Sequence, residues 1–87
     1  MDWHLEAHGT VTDCREQLNA KLASLPSPET QENKVVRMIA HYIVHDYLDP
    51  LHDPWQADCN ALRAMKRPEP PEPMAQFAIE CRVTLGP

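Results

Sequence analysis

The chain has 87 residues and a mass of 9.9 kDa, which predicts one domain, 1–87, and excludes a second, because domains usually need roughly 100–200 residues. Eight lysines and arginines against 13 aspartates and glutamates give a formal net charge of −5, so we expect no direct binding of duplex nucleic acid through phosphate neutralisation. A hydrophobic content of 43 % with nine prolines excludes disorder throughout and indicates a folded chain with one stiff interruption.

The N-terminal residues lack a basic segment followed by an apolar one, and no run approaches the roughly 18 apolar residues that cross a bilayer. We therefore expect no membrane contact and a cytoplasmic location. Cys14, Cys59 and Cys81 form no C-x-x-C pair, and each lies on a predicted apolar face. Reduced, buried thiols are the expectation for these three residues, rather than a disulfide or a catalytic nucleophile.

Apolar and polar residues alternate near both ends of the sequence, which predicts two strands that each bury one face. The first predicted strand covers residues 2–11 and turns Trp3 and Leu5 to its apolar side. The second covers residues 75–85, with Phe77 at the start of the apolar side.

Between the strands the spacing of apolar residues changes to that of helices. Asp13, followed by Glu16, predicts a capped start for the first helix. Pro28 suits the first position of a second helix, and Asp49-Pro50 is expected to end it because the residue before proline avoids the helical region. The predicted helices cover residues 13–25, 28–48 and 54–66, and a Pro-rich arm covers residues 67–73.

This order predicts an α+β fold, β-α-α-α-β, in which a two-stranded antiparallel or mixed sheet is covered on one face by helices. An isolated pair of strands is marginally stable in water and leaves two open edges. We therefore expect the sheet to be extended by homo-oligomerisation, with a dimer as the simplest case.

Four residues of the second predicted helix, Lys34, Arg37, His41 and His45, fall in one narrow sector of its surface. We call them the cationic ridge, and they are the candidate binding site. Four spaced cations suit a compact anion such as a phosphate, or an acidic surface of a partner protein. The alternative is an ordinary solvated face that pairs with nearby glutamates or with another subunit.

His41 and His45 also have the i,i+4 spacing with which two imidazoles can hold one zinc ion, and His52 is a candidate third ligand. Position 42 is tyrosine instead of the glutamate that acts as the general base in zinc proteases. The sequence contains no Gly-rich phosphate loop and no nucleophile elbow. We therefore expect no enzymatic activity and no cofactor, and we keep a zinc-binding protein as the alternative hypothesis.

The run WHLEAHGTV at residues 3–11 passes directly into the helical segment DCREQL at residues 13–18. A strand that ends in glycine, followed by helices and a final alternating strand, resembles small uncharacterised proteins of bacteriophages and actinobacteria. The resemblance covers roughly the first 25 residues and the last dozen. This chain departs from the pattern in having a Pro-Glu arm instead of a Gly-rich segment before the last strand.

The resemblance implies a non-enzymatic binding protein, and more specifically a phage-encoded inhibitor of a host defence system. Such an inhibitor would act in the host cytoplasm, either by occluding a host protein or by sequestering a small anionic signalling ligand. Together with the residue patterns, this predicts a small oligomeric binding protein whose contact surface is the cationic ridge.

Overall fold

The structure is a computed structural model that describes residues 2–25 and 30–82. Its helices and strands follow the predicted β-α-α-α-β order, and the α+β class is confirmed. The elements are β1 (Asp2–Thr10), α1 (Val11–Ala23), α2 (Gln31–Ile43), a π-helical segment (Val44–Leu48), α3 (Asp49–Ala64) and β2 (Met74–Arg82).

The two strands pair antiparallel, which settles the orientation that the sequence left open. Leu5 lies opposite Ile79, and Ala7 lies opposite Phe77. The predicted apolar face of β1 is buried, and helices cover it. The main core consists of Trp3, Leu5, Ala7, Val11, Cys14, Leu18, Val36, Ala40, Ile43, Leu48 and Ala75.

Helix α1 begins two residues earlier than predicted, because the cap is Thr10 and not Asp13. The Thr10 side chain accepts a hydrogen bond from the Asp13 amide at 3.1 Å, and the Asp13 carboxylate accepts one from the Thr10 amide at 3.0 Å. This reciprocal pair is a capping box with Asp13 as its third helical residue. Gly9, with a φ of +126°, turns the chain directly from strand into helix.

Helix α2 also has a threonine as its N-cap. Thr30 is extended and accepts a hydrogen bond from the Asn33 amide, so it caps a helix that begins at Gln31. The predicted start at Pro28 lies in residues 26–29, outside the described residues.

The expected break at Asp49-Pro50 was wrong, because the backbone stays helical from α2 through the π-helical segment into α3. The Asp49 amide donates to the carbonyl of Val44 in the wider π pattern. An ordinary α turn would press the ring of Pro50 against the carbonyl four residues earlier, and a π turn at this point relieves that contact. The third helix therefore begins at Asp49, and Pro54 lies inside it.

The Pro-rich arm, residues 67–73, contains no helix or strand, as predicted, and it is fastened to the helices. The Trp55 indole N–H donates to the carbonyl of Pro70 at 2.9 Å, and the Arg63 guanidinium donates to Glu69 at 2.6 Å. Glu72 accepts the Thr12 amide at 2.8 Å at the N-terminus of α1, where the helix dipole favours a carboxylate. The arm leads into β2, which is described as far as Arg82; the last three residues of the predicted strand, 83–85, lie outside the described residues.

The molecule is elongated. It measures 60 × 21 × 17 Å with a radius of gyration of 16.3 Å, whereas a compact chain of this length would have about 12 Å. Among the described helices, none combines the length and the apolar character that a bilayer span requires.

The turn at Gly9 generates a stability prediction. A Cβ atom at this position would lie 2.7 Å from the Asp13 carboxylate, and the positive φ disfavours any side chain. Gly9→Ala should therefore lower the free energy of unfolding by about 1–3 kcal/mol, measured by urea denaturation. His8→Ala, on the exposed face next to it, is the control and should change stability by less than about 0.5 kcal/mol. Equal effects of the two substitutions would contradict the strain at Gly9.

Candidate functional site

The structure places the cationic ridge along one helical surface, on α2 and the π-helical segment. All four side chains are exposed. The rings of His41 and His45 lie close together, with 4.2 Å between their centroids and an angle of 58° between their planes. The i,i+4 spacing therefore does bring these two imidazoles together, although a π turn follows directly after α2.

A cleft of about 300 Å³ lies between α1 and α2 beside the ridge. Its walls are mainly aliphatic, and Asn19, Arg37 and His41 supply the polar groups. The lining residues are Leu18, Asn19, Leu22, Arg37, Ala40, His41 and Val44. Arg37 and His41 thus belong to both the ridge and the cleft, whereas Lys34 and His45 do not line the cleft. A cleft with aliphatic walls and a cationic rim can hold a compact anion that carries an apolar group.

The His45 end of the ridge belongs to an ionic network that the sequence analysis did not predict. His45 Nδ1 lies 3.6 Å from Asp49 Oδ2, and Asp49 accepts a hydrogen bond from the guanidinium of Arg15. The i,i+4 spacing of His45 and Asp49 is visible in the sequence, but the contribution of Arg15 from α1 is not. Asp49 balances positive charge here, so the cationic character of the ridge is reduced at His45.

The alternative hypothesis of a three-histidine zinc site is not supported, because the three side chains do not come together. His52 is eleven residues beyond His41, which corresponds to roughly 16 Å along a helix, and its ring lies against Trp55 with 5.3 Å between the centroids. Within residues 2–25 and 30–82, no group of three histidine, cysteine or carboxylate side chains could hold one metal ion.

Cys14 and Cys59 are buried free thiols, as predicted. Burial raises the pKa of both thiols, and the nearby carboxylate of Glu69 raises the pKa of Cys59 further. A thiol held in its protonated form is a poor nucleophile. These two residues therefore act as small core side chains, while the side chain of Cys81 lies outside the described part of the structure.

A second charged surface lies on the outer face of the sheet. His4 Nε2 is 2.9 Å from Glu6 Oε2, and His4 Nδ1 is 3.6 Å from Glu80 Oε1 on the neighbouring strand. The hydrogen bond and the charge interaction with His4 lower the pKa of Glu6. The outer face of the sheet thus carries a mixed-charge surface that spans both strands.

Comparisons with known proteins found no matching family model, no matching curated protein and no matching solved structure.

The link between Arg15 and Asp49 should contribute measurably to stability. Both side chains are about one-third exposed, so a double-mutant cycle with Arg15→Met and Asp49→Asn should give a coupling energy of about 1 kcal/mol by urea denaturation. The more exposed pair Arg63 and Glu69 is the matched control, substituted with Met and Gln, and should give about 0.3 kcal/mol. No coupling between Arg15 and Asp49 would mean that this pair does not fasten α1 to α3.

Proposed function

We propose that this protein is a non-enzymatic binding protein that holds a small anionic ligand at the cationic ridge and in the adjoining cleft. The observation that carries this proposal is that Arg37 and His41 lie on the ridge and also line a largely aliphatic cleft. Such a site offers charge-assisted hydrogen bonds to an anion and an apolar surface to the group attached to it.

The net charge of the chain does not oppose such a site. Electrostatic interactions between exposed charges are screened over about 8 Å at physiological ionic strength, so the ridge acts on a ligand locally. The formal charge of −5 still disfavours a large polyanion, which would also meet acidic surface. A compact phosphate or carboxylate with an apolar group is therefore the ligand class that this site favours.

The resemblance to small phage proteins suggests a setting for this activity. We propose sequestration of an anionic signalling ligand by a phage-encoded inhibitor of a host defence system, acting in the host cytoplasm. Occlusion of a host protein is the second form of the hypothesis, and it would need about 800 Å² of contact surface on each partner. The small volume of the cleft, about 300 Å³, favours the small ligand. We also propose that the chain associates with copies of itself.

Anion binding can be tested with three probes: phenyl phosphate, inorganic phosphate and phenol. If the ridge and cleft act together, phenyl phosphate should bind most tightly, because it alone offers both an anion and an apolar group. Amide chemical shifts in a nuclear magnetic resonance titration should change at Asn19, Arg37 and His41. Shifts confined to other parts of the chain, or no binding of phenyl phosphate, would reject the site.

The charge requirement can be tested with Arg37→Glu combined with His41→Glu. Each lost charge-assisted hydrogen bond is worth about 1.5–3 kcal/mol, so phenyl phosphate should bind at least about tenfold more weakly. The control combines Arg67→Glu with Asn60→Glu, which changes the formal charge equally at exposed positions away from the cleft.

The control protein should keep its affinity, and both proteins should keep the wild-type melting temperature. An equal loss of affinity in the two proteins would show that net charge alone attracts the probe. A large fall in the melting temperature of the ridge variant would place Arg37 and His41 in a structural contact instead of a ligand site.

A further inference from the structure

The direction of the backbone groups in β1 defines an open edge of the sheet. The Val11 amide donates to the carbonyl of Pro73 at 3.0 Å in continuation of the β1–β2 register. In an antiparallel ladder, alternate residues direct their N–H and C=O groups to the neighbouring strand. The odd-numbered residues of β1 therefore direct their backbone N–H and C=O groups toward β2. The even-numbered residues of β1 direct theirs away from β2, toward the open edge.

Among the described residues, side chains cover one end of this outer edge and leave the other open. The side-chain N–H of Gln17 donates to the carbonyl of His8 at 2.8 Å, and the side-chain oxygen of Gln17 accepts from the His8 amide at 3.4 Å. The Asp13 carboxylate accepts from the Thr10 amide. At His4 and Glu6, no described residue hydrogen-bonds the outward backbone groups. Beside these two residues lies a groove of about 510 Å³, which α1 bounds with Gln17, Leu18, Ala20 and Lys21.

The charges along this open edge are self-complementary. If a second copy of β1 pairs antiparallel around Leu5, His4 lies opposite Glu6 of the partner subunit, and Glu6 lies opposite His4 of the partner subunit. Sliding one strand by two residues in one direction places His4 opposite His4 of the partner subunit. Sliding it by two residues in the other direction places Glu6 opposite Glu6 of the partner subunit. Opposite charges directly across strands are stabilising and like charges are destabilising, so the side chains select one register.

We propose that two copies of this chain pair through the outer edges of β1, centred on Leu5, to form one four-stranded antiparallel sheet. In this register His4 and Glu6 are the hydrogen-bonded positions, which matches the outward direction of their backbone groups. The pairing has twofold symmetry and therefore closes at a dimer. It also covers exposed surface of an elongated monomer and converts a marginal two-stranded sheet into a four-stranded one.

The outer edge of β2 is the less suitable alternative. The hydroxyl of Tyr47 accepts the Gln76 amide at 3.3 Å, which covers one of its outward groups. Pairing of this edge around Ile79 would set Glu80 opposite Ala78, with no charge complementarity between copies. The β1 edge is therefore the favoured surface.

This inference rests on the proposed self-association and specifies where it occurs, while it is independent of anion binding at the ridge. The test uses sedimentation velocity on the full chain, in which the wild type should have about twice the mass of 9.9 kDa. His4→Glu sets carboxylates opposite one another between copies, and Glu6→His sets imidazoles opposite one another, so each variant lacks the complementary pairs of the wild type. Each variant should dimerise at least about tenfold more weakly than the wild type.

Mixing the two variants is the decisive measurement. One copy with His4→Glu and one with Glu6→His present opposite charges to each other, so the mixture should form a heterodimer although each variant alone is monomeric. The intrachain contact between positions 4 and 6 stays broken in the mixture, so its repair cannot explain a gain in mass. The matched control Gln76→Glu adds the same formal charge on the same exposed face of the sheet but on β2, away from the paired edge, and should remain dimeric.

Amide hydrogen exchange gives a second readout that does not depend on mass. In the wild-type dimer the amides of His4 and Glu6 should be protected, and this protection should be lost in the monomeric variants. The amides of Leu5 and Ala7 face β2, and they should stay protected in every folded protein. Loss of protection at all four positions would show that a variant has unfolded. Formation or absence of the heterodimer in the mixture of the two variants then tests the interface.

The possible outcomes distinguish self-association of the chain from the use of the β1 edge as its interface. A wild type that stays monomeric would overturn both self-association and the β1 interface. A dimer that persists in both variants, with no preference for the mixed species, would retain self-association and overturn the β1 interface. Either result leaves the anion-binding proposal to its own titration.

Discussion

The antiparallel pairing of β1 with β2 is the constraint on which the rest of this structure depends. It joins strands from opposite ends of the described chain, and the conformational entropy lost on closing so long a loop must be offset by contacts across the sheet and with α1. One such contact is the Cys14 thiol at 3.5 Å from the carbonyl of Ala75, which connects α1 to β2. The Pro-rich arm assists the closure, because Glu69 and Glu72 hold it against α3 and α1 before it enters β2.

Alternation of residue types sufficed to predict both strands and their buried faces, because a period of two is a direct consequence of strand geometry. Helix limits were predicted less well. Asp13 was assigned as a cap because residue type alone cannot show that Gly9 has already turned the chain. The predicted break at Asp49-Pro50 was wrong for a different reason. Proline inside a helix costs about 3 kcal/mol, and here the helix accommodates Pro50 by changing to π geometry.

The candidate site also combines contacts within one helix with contacts between helices that are distant in sequence. The pairing of His41 with His45 follows from helix geometry, so the sequence could predict it. The cleft could not be predicted, because Asn19 and Leu22 reach it from another helix. The same geometry decides against His52, since a helix that continues through Pro50 carries this residue away from the pair. Sequence spacing thus predicts neighbours on one helix, and the packing of helices determines which of them share a site.

The positions of the ridge and the open edge also separate ligand binding from assembly. Arg37 and His41 lie on α2, whereas His4 and Glu6 lie on the outer face of β1. A substitution that changes charge on one of these surfaces therefore leaves the side chains of the other surface unchanged. Screening over about 8 Å limits the direct effect of such a change on more distant exposed charges. Each copy in a β1-paired dimer would retain its own ridge and cleft, since neither feature includes a residue of the paired edge. Assembly would then stabilise the sheet that supports the site without supplying any of the groups that bind the ligand.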